Sequence, residues 1–244
     1  MPNEYRTPGV YIEEIGALPP SVPAVETALP VFLGYVAEAE AYGEPVPIAS
    51  LVEYERLFGG PPPEGEAEQW RLHEAIRLHY AHGGQRALVV PLGARDEADP
   101  ADAAPFHAAL DRIGREQGPT LLLAPDALLL PRDFYHGVAA AMLELCAALG
   151  DRMAILDIHG GDDLAIGTPA DSAPLIRAFR DAVAPLGPAL SYGAAYYPWL
   201  VAPDGRRMPP GGAMAGIYRQ IDDSKGVWKA PANVVLDGGA VAAP

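Results

Sequence analysis

One stretch of the sequence gathers residue types that bind metal ions, the segment DIHGGDD at residues 157–163. Three carboxylates and an imidazole could together hold a hard or borderline cation. The segment follows a predicted strand, and the carboxyl ends of strands are where α/β proteins place their sites. Glycine and aspartate are also the ordinary residues of a turn. We therefore favour a turn over a metal site at these residues.

Imidazole and thiol groups occur at other positions with reactive potential. His73, His79 and His82 fall on one predicted helix, but two imidazoles on a shared face need a third ligand and none is adjacent. His79 borders the apolar stripe of its helix, so we expect a packed histidine. Cys146 lies four residues after Met142 on the core face of another predicted helix, whereas a reactive thiolate needs a cationic, exposed setting. We interpret Cys146 as a small apolar core residue.

Motifs for phosphate binding and for serine hydrolysis are not present in the sequence. The glycine pairs at 59–60, 83–84 and 211–212 lack a third glycine or the following Lys and Ser/Thr. Ser191 has a glycine only at position 193 and does not form a nucleophile elbow. A Ser-His-Asp set from distant positions keeps an α/β hydrolase as the enzyme alternative. We predict no catalytic, metal-binding or cofactor-binding residues.

Charge and aromatic patterns disfavour nucleic acids and membranes as partners. The chain has 32 acidic and 17 basic residues, a formal net charge of -15, whereas nucleic acids and anionic membranes attract clustered Lys and Arg. The aromatic residues at 192–199 and Trp228 are not interleaved with cations, so we assign them to core or subunit-interface packing. No apolar run approaches the roughly 20 residues that span a bilayer.

The expected compartment follows from two features of the chain. The N-terminus lacks the basic and then apolar pattern of a secretion signal. Cys146 is the single cysteine, which excludes an internal disulfide framework and fits a reducing compartment. We expect the protein to be made in the cytoplasm.

The elements that must position these residues alternate between strand and helix from Pro30 onward. Such repeated units predict an α/β fold, a largely parallel sheet flanked by helices. The predicted strands cover residues 31–36, 87–90, 120–124, 153–157 and 189–196. The predicted helices cover residues 51–59, 66–82, 103–117, 133–149, 169–186 and 210–224. Residues 198–212 are predicted as a loop and 227–236 as an extended segment.

The first residues have the composition of an extended arm. Five prolines deny a long helix to residues 1–28, and between them residues 9–15 form one predicted strand without a hairpin partner. A lone strand must pair with a sheet, in its own chain or in a neighbour. We divide the chain into an N-terminal arm at 1–28, an α/β core at 29–236 and a flexible tail at 237–244.

Several segments, in order along nearly the whole chain, resemble the contractile tail sheath family of phages and of extracellular contractile injection systems. The most specific blocks are C-terminal, and any one of them alone would be weak. The segments are YRTPGVYIEE at 5–14, PIASLVEY at 47–54, FGG at 58–60, GG at 83–84 before an apolar strand, CAALGDRMAILD at 146–157, YPW at 197–199, PPGGAMAGIY at 209–218 and GVWKAPAN at 226–233.

The resemblance implies a structural subunit of a contractile sheath, not an enzyme, that stacks in rings around an inner tube and contracts to drive it. It implies other sheath subunits and the inner tube protein as partners, with baseplate or cap proteins as further ones, and no cofactor. It also implies residence in a phage-tail-like particle or virion tail after cytoplasmic assembly. The predicted inter-subunit arm adds a strand to a neighbour; its residues are Pro8, Gly9, Val10, Tyr11, Ile12, Glu13, Glu14 and Ile15. The family-motif positions are Pro209, Pro210, Gly216, Gly226, Trp228, Lys229, Pro231 and Asn233.

The end of the chain departs from the family pattern. Family members usually continue beyond the Lys-Ala-Pro-Ala-Asn block into another α/β portion and a C-terminal arm, whereas this chain stops 11 residues after Asn233. We therefore expect a short form that alone builds no contractile tube. The alternative function is a sheath-related capping or regulatory protein that binds sheath or tube subunits.

Overall fold

The computed structural model describes residues 26–63, 70–161, 169–202, 205–234 and 241–242, with the backbone alone at 169–173 and 241–242. The predicted arm strand at 9–15 and the positions Asp162 and Asp163 lie outside the described residues. The strands are β1 (Pro30–Val36), β2 (Val46–Ile48), β3 (Ala87–Ala94), β4 (Leu121–Leu123), β5 (Met153–Asp157), β6 (Gly193–Tyr196), β7 (Leu200–Val201), β8 (Arg207–Met208) and β9 (Val241–Ala242). The helices are α1 (Leu51–Phe58), α2 (Leu72–Ala81), α3 (Ala104–Ile113), α4 (Arg132–Leu149), α5 (Pro169–Val183) and α6 (Gly211–Lys225).

Six of the described strands form the main sheet in the order β2-β3-β1-β4-β5-β6. All neighbours pair in parallel except β2, which runs antiparallel to β3 at one edge. All seven residues of β1 are buried, as expected for a central parallel strand covered on both faces. The predicted α/β fold with a largely parallel sheet is confirmed.

The two faces of the sheet carry separate cores. Alternate residues of β1 point to opposite faces, so Val31 and Leu33 pack with residues of α3 and α4, whereas Phe32 and Val36 pack with residues of α1 and α2. Helix α6 also lies on the second face, against α2 and β5. This layering places the N-termini of α2 and α6 at the carboxyl edge of the sheet.

Helix α1 begins at Leu51, the predicted first residue. The Ser50 hydroxyl accepts from the Glu53 N–H at 3.1 Å, and the Glu53 carboxylate accepts from the Ala49 N–H at 2.7 Å. The two side chains thus satisfy backbone donors that a helix start leaves unpaired. The helix ends before Gly59, whose φ of +82° favours glycine.

The strand predicted at 189–196 is only half correct. Residues 184–192 form a 3₁₀-helical segment, and β6 begins at Gly193. Pro188 lacks the N–H that a sheet ladder needs, and the Ser191 hydroxyl donates to the Pro188 carbonyl at 2.8 Å within the turn. Leu190 is exposed, so the apolar composition of this segment does not reflect a buried strand.

Two further details of the sequence prediction were wrong. The predicted loop at 198–212 contains the β7–β8 hairpin, whose β7 also pairs with β9, inside the predicted tail. The spacing of Phe134, Val138, Met142, Leu145 and Leu149 predicts one buried stripe along α4, but Phe134 and Leu149 are exposed. The buried residues of α4 are instead Tyr135, Val138, Ala139, Met142, Leu143 and Cys146.

Candidate functional site

The carboxyl edge of the sheet, where α/β proteins bind ligands, is occupied by the buried side chain of Asp126. Its carboxylate accepts from the N–H of Tyr35 at 2.7 Å, of Arg71 at 2.6 Å and of Leu72 at 2.9 Å. Burial raises the pKa of Asp126 to about 6, against these three donors, which favour its ionised form. The Asp126 side chain thereby connects β1 to the start of α2. A Cβ at Gly34 would collide with the Asp126 carboxylate, and glycine avoids this clash.

A second buried carboxylate, Asp157, ends β5 and holds the start of α6. It accepts from the Gly211 N–H at 2.8 Å, and burial raises its pKa to about 7. The Tyr135 hydroxyl donates to the backbone carbonyl oxygen of Asp157. Both carboxylates at this edge thus anchor helix N-termini, a favourable place for negative charge.

His159, from the same stretch of sequence as Asp157, has a partner of its own. His159 shares a hydrogen bond at 2.9 Å with the Leu130 carbonyl, which fits a turn. Across the described ranges, no three His, Cys, Asp or Glu side chains are arranged to hold a metal ion.

The other residues with reactive potential also have structural surroundings. His73 contacts Glu55 at 3.0 Å, and His82 shares a hydrogen bond at 2.8 Å with the Leu78 carbonyl. His79 and Cys146 are fully buried, so the prediction that both are packed is confirmed. Burial raises the pKa of the Cys146 thiol to about 12, which keeps it protonated.

The first family-motif positions dock α6 against α2. Pro209 and Pro210 are buried immediately before α6. A Cβ at Gly212 would lie 2.3 Å from the Ala75 carbonyl oxygen, and one at Gly216 would lie 2.4 Å from the His79 carbonyl oxygen. Only glycine permits so close a contact between the two helices.

The later motif positions form an exposed turn at residues 226–234, named the Trp228 turn. Gly226 ends α6 with a φ of +91°, and its N–H donates to the Asp222 carbonyl at 3.0 Å. A Cβ at Gly226 would lie 2.3 Å from the Trp228 ring, which shows that the ring lies over this glycine. Trp228 is nevertheless 84% exposed, and Val227 beside it is 63% exposed.

The remaining family-motif positions also lie in the Trp228 turn. The Lys229 N–H donates to the Gly226 carbonyl at 3.1 Å, Pro231 follows in the turn, and Asn233 has a φ of +58°.

Comparison with solved structures adds a relationship to this geometry. The chain matches a chain of the six-fold symmetrised anti-feeding prophage baseplate with 30% identity and a TM-score of 0.59, covering 96% of this chain and 58% of that one. It matches the contracted helical sheath of the anti-feeding prophage with 29% identity and a TM-score of 0.57, covering 97% and 58%. The chain resembles contractile injection-system sheath proteins along nearly its whole length.

This sheath-like chain spans about 58% of the length of those two relatives. The chain also shares its fold with a chain of the sheath complex of PVC, an extracellular contractile injection system. That match has 24% identity and a TM-score of 0.61, and it covers 98% of this chain and 57% of the PVC chain. No protein-family model and no curated protein matches the chain.

In this sheath-like chain the motif residues serve two different purposes. The buried ones build the contact of α6 with α2 and β5, whereas the Trp228 turn presents a large aromatic side chain to solvent. Tryptophan is enriched at the energetic centres of protein interfaces. By contrast, Trp199 is buried and its indole N–H donates to the Ile158 carbonyl at 2.9 Å. The Trp228 turn is therefore the candidate assembly surface among the described residues.

Sequence reasoning did not single out Asp126. Its only signal is an aspartate directly after the apolar strand at 120–124, a position where a side chain meets the carboxyl edge of the sheet. Its three partners lie 54 to 91 residues away in the chain.

Proposed function

We propose that the chain is a structural subunit of the contractile sheath of a phage-tail-like injection system. One observation carries the proposal, the 29% identity over 97% of the chain with the anti-feeding prophage helical sheath. The subunit joins other sheath subunits around the inner tube, is made in the cytoplasm and resides in the particle. It binds neither nucleic acid nor membrane, and no described helix is both long and apolar enough to cross a membrane.

The proposed subunit is not an enzyme. The two carboxylates at the carboxyl edge of the sheet are engaged with helix N-termini, and Ser191 lies in an exposed 3₁₀ turn. An α/β fold by itself confers no chemistry, because activity depends on the residues of a particular site. The arm at residues 8–15 is proposed to link subunits through main-chain hydrogen bonds to a neighbouring sheet.

Co-assembly tests this function. The tagged chain is produced together with the sheath and tube proteins of the same organism, and particles are isolated by sedimentation and imaged by electron microscopy. We expect the chain in the particles, with Ile12→Pro excluded and Ile12→Val retained, because proline cannot donate to a strand ladder. A wild-type chain that stays in the supernatant would refute the proposal, and incorporation of Ile12→Pro would refute the role of the arm.

The match to a baseplate structure favours a second candidate, a capping or baseplate-proximal protein related to sheath subunits. The same particles separate the two functions when the tag is labelled with gold. Label along the whole sheath supports the lattice subunit, and label only at one end supports the cap.

A further inference from the structure

A cavity of about 220 Å³ opens at the carboxyl end of β3, next to the segment that connects β3 to α3. Its lining includes two aromatic rings, a leucine side chain and three carboxylates. They are Tyr35, Tyr42, Leu92, Glu97, Asp99 and Asp102.

Tyr35 supplies a fixed polar group to this cavity. The residue is 6% exposed, and its ring is held edge-on by Trp70 at 5.7 Å and by Phe106 at 5.9 Å between centroids. Within the described ranges its hydroxyl has no hydrogen-bond partner. Burial, and then the charges of Asp102, Asp126 and Asp99, raise the pKa of Tyr35 to about 12, which places the hydroxyl in a negative potential.

The carboxylates of the cavity retain binding capacity. One oxygen of Asp99 accepts from the Ala101 N–H at 2.8 Å, and one oxygen of Asp102 accepts from the Ala104 N–H at 2.8 Å. Each carboxylate has a second oxygen that accepts no hydrogen bond from the described part of the chain. Arg95 is close in sequence but donates to the Gly60 carbonyl at 2.9 Å and does not line the cavity.

The combination of carboxylates with aromatic rings indicates the kind of cation that the cavity can bind. The described residues contain no group of three His, Cys, Asp or Glu side chains able to hold a metal ion. A guanidinium group carries five N–H donors in a plane and stacks on aromatic rings. We propose that this cavity binds an arginine side chain presented by a partner polypeptide. The formal net charge of -15 favours approach of such a basic segment.

The inference does not depend on the sheath function and is tested on the isolated chain. A blocked peptide, acetyl-Gly-Arg-Gly-amide, is titrated into protein with ¹³C-labelled tyrosine, and the NMR signals of Tyr35 and Tyr42 are followed. We expect saturable shifts with the arginine peptide, weaker binding of the lysine peptide and none of the citrulline peptide. Equal binding of the lysine peptide would overturn the guanidinium assignment, and no shift with arginine would overturn the site.

Variants locate the binding in the cavity. Asp99→Asn with Asp102→Asn keeps an oxygen for each turn hydrogen bond and removes both charges, so we expect binding to weaken roughly two- to tenfold. Tyr42→Leu should weaken it independently, because Tyr42 lies at the exposed rim. Asp111→Asn, on the exposed side of α3, is the matched control and should leave binding unchanged. Unchanged binding in both cavity variants would refute the proposal.

Discussion

His79 combines the chemistry of a metal ligand with the surroundings of a core residue. Its ring lies edge-on to Phe32 at 5.6 Å, and a Cβ on Gly84 would come within 2.4 Å of it. Neither ring nitrogen meets the geometry of a hydrogen bond within the described residues. The Gln85 backbone raises the pKa of His79, but by less than burial lowers it. Burial therefore lowers the pKa of His79 from 6.5 to about 4.

The substitution His79→Leu should reduce the acid sensitivity of the fold. The unfolded chain binds a proton at His79 more readily than the folded one, so this residue contributes stability above pH 6.5 that is lost as the pH falls towards 4. Between pH 7.5 and pH 5 we expect the wild type to lose about 2 kcal/mol more free energy of unfolding than the variant. Urea denaturation followed by circular dichroism measures the difference.

Comparing the two proteins at both pH values isolates His79. The raised pKa values of Asp126, about 6, and Asp157, about 7, have the opposite sign, since their stabilising effect is lost as the pH rises. Both carboxylates are present in wild type and variant, so their contributions cancel in the difference. Parallel pH profiles of the two proteins would show that His79 is not the acid-sensitive group.

Residues with local patterns could be predicted from the sequence, and residues with distant partners could not. The helical stripe of Leu72 and Ile76 indicated that His79 packs inward, and the spacing from Met142 indicated the same for Cys146. The role of Asp126 depends on backbone donors far away in the chain, which no local pattern specifies. Likewise, no local pattern indicated that Asp99 and Asp102 share a cavity with Tyr35.

At the level of elements, α6 is joined to the rest of the fold through its glycine face and its N-terminus. Gly212 and Gly216 lie against the backbone of α2, and Gly211 donates to Asp157. This face positions the C-terminal end of α6, from which the Trp228 turn extends. The contact between α2 and α6 therefore supports the candidate assembly surface.

The substitution Gly216→Ala should destabilise the fold. The added methyl group would lie 2.4 Å from the His79 carbonyl oxygen, and a backbone atom cannot move aside as a flexible side chain can. We expect a loss of about 1–3 kcal/mol in the free energy of unfolding, typical of overpacking. Gly137→Ala is the matched control on the exposed side of α4, where no atom of the described residues lies within 4 Å of an added Cβ, and it should stabilise by about 0.5–1 kcal/mol. Equal effects of the two substitutions would contradict close packing of α6 on α2.

Strands and helices with strong periodicity were predicted well, and short edge elements were not. The strands β1 and β5 match their predicted ranges within one residue, because continuous burial leaves an unbroken apolar pattern. The three residues of β2 and the two of β7 are too short to show a period of two. The segment at 189–192 has the apolar composition of a strand but is partly exposed. It forms a 3₁₀ turn with local hydrogen bonds, such as that from the Ser191 hydroxyl.

For the whole molecule, assembly requires surfaces that contribute little to the stability of the isolated chain. Trp228 fits this description, since it is 84% exposed and contacts its own turn at Gly226. Burying a tryptophan removes about 150–250 Å² of surface from water, enough for one side chain to dominate an interface.

The substitution Trp228→Ala should separate assembly from folding. We expect the free energy of unfolding to change by less than about 0.5 kcal/mol, as for an exposed position. We expect incorporation into particles to fall at least about tenfold, because truncating an aromatic residue at the centre of an interface typically costs 2 kcal/mol or more. Val52→Ala on α1 is the matched control, since Val52 is also exposed, at 75%, but is not one of the family-motif positions. Quantitative sedimentation of the co-produced particles measures incorporation, and urea denaturation measures stability. If Trp228→Ala enters particles as well as Val52→Ala does, the Trp228 turn is not an assembly surface, and the exposed motif residues require another explanation.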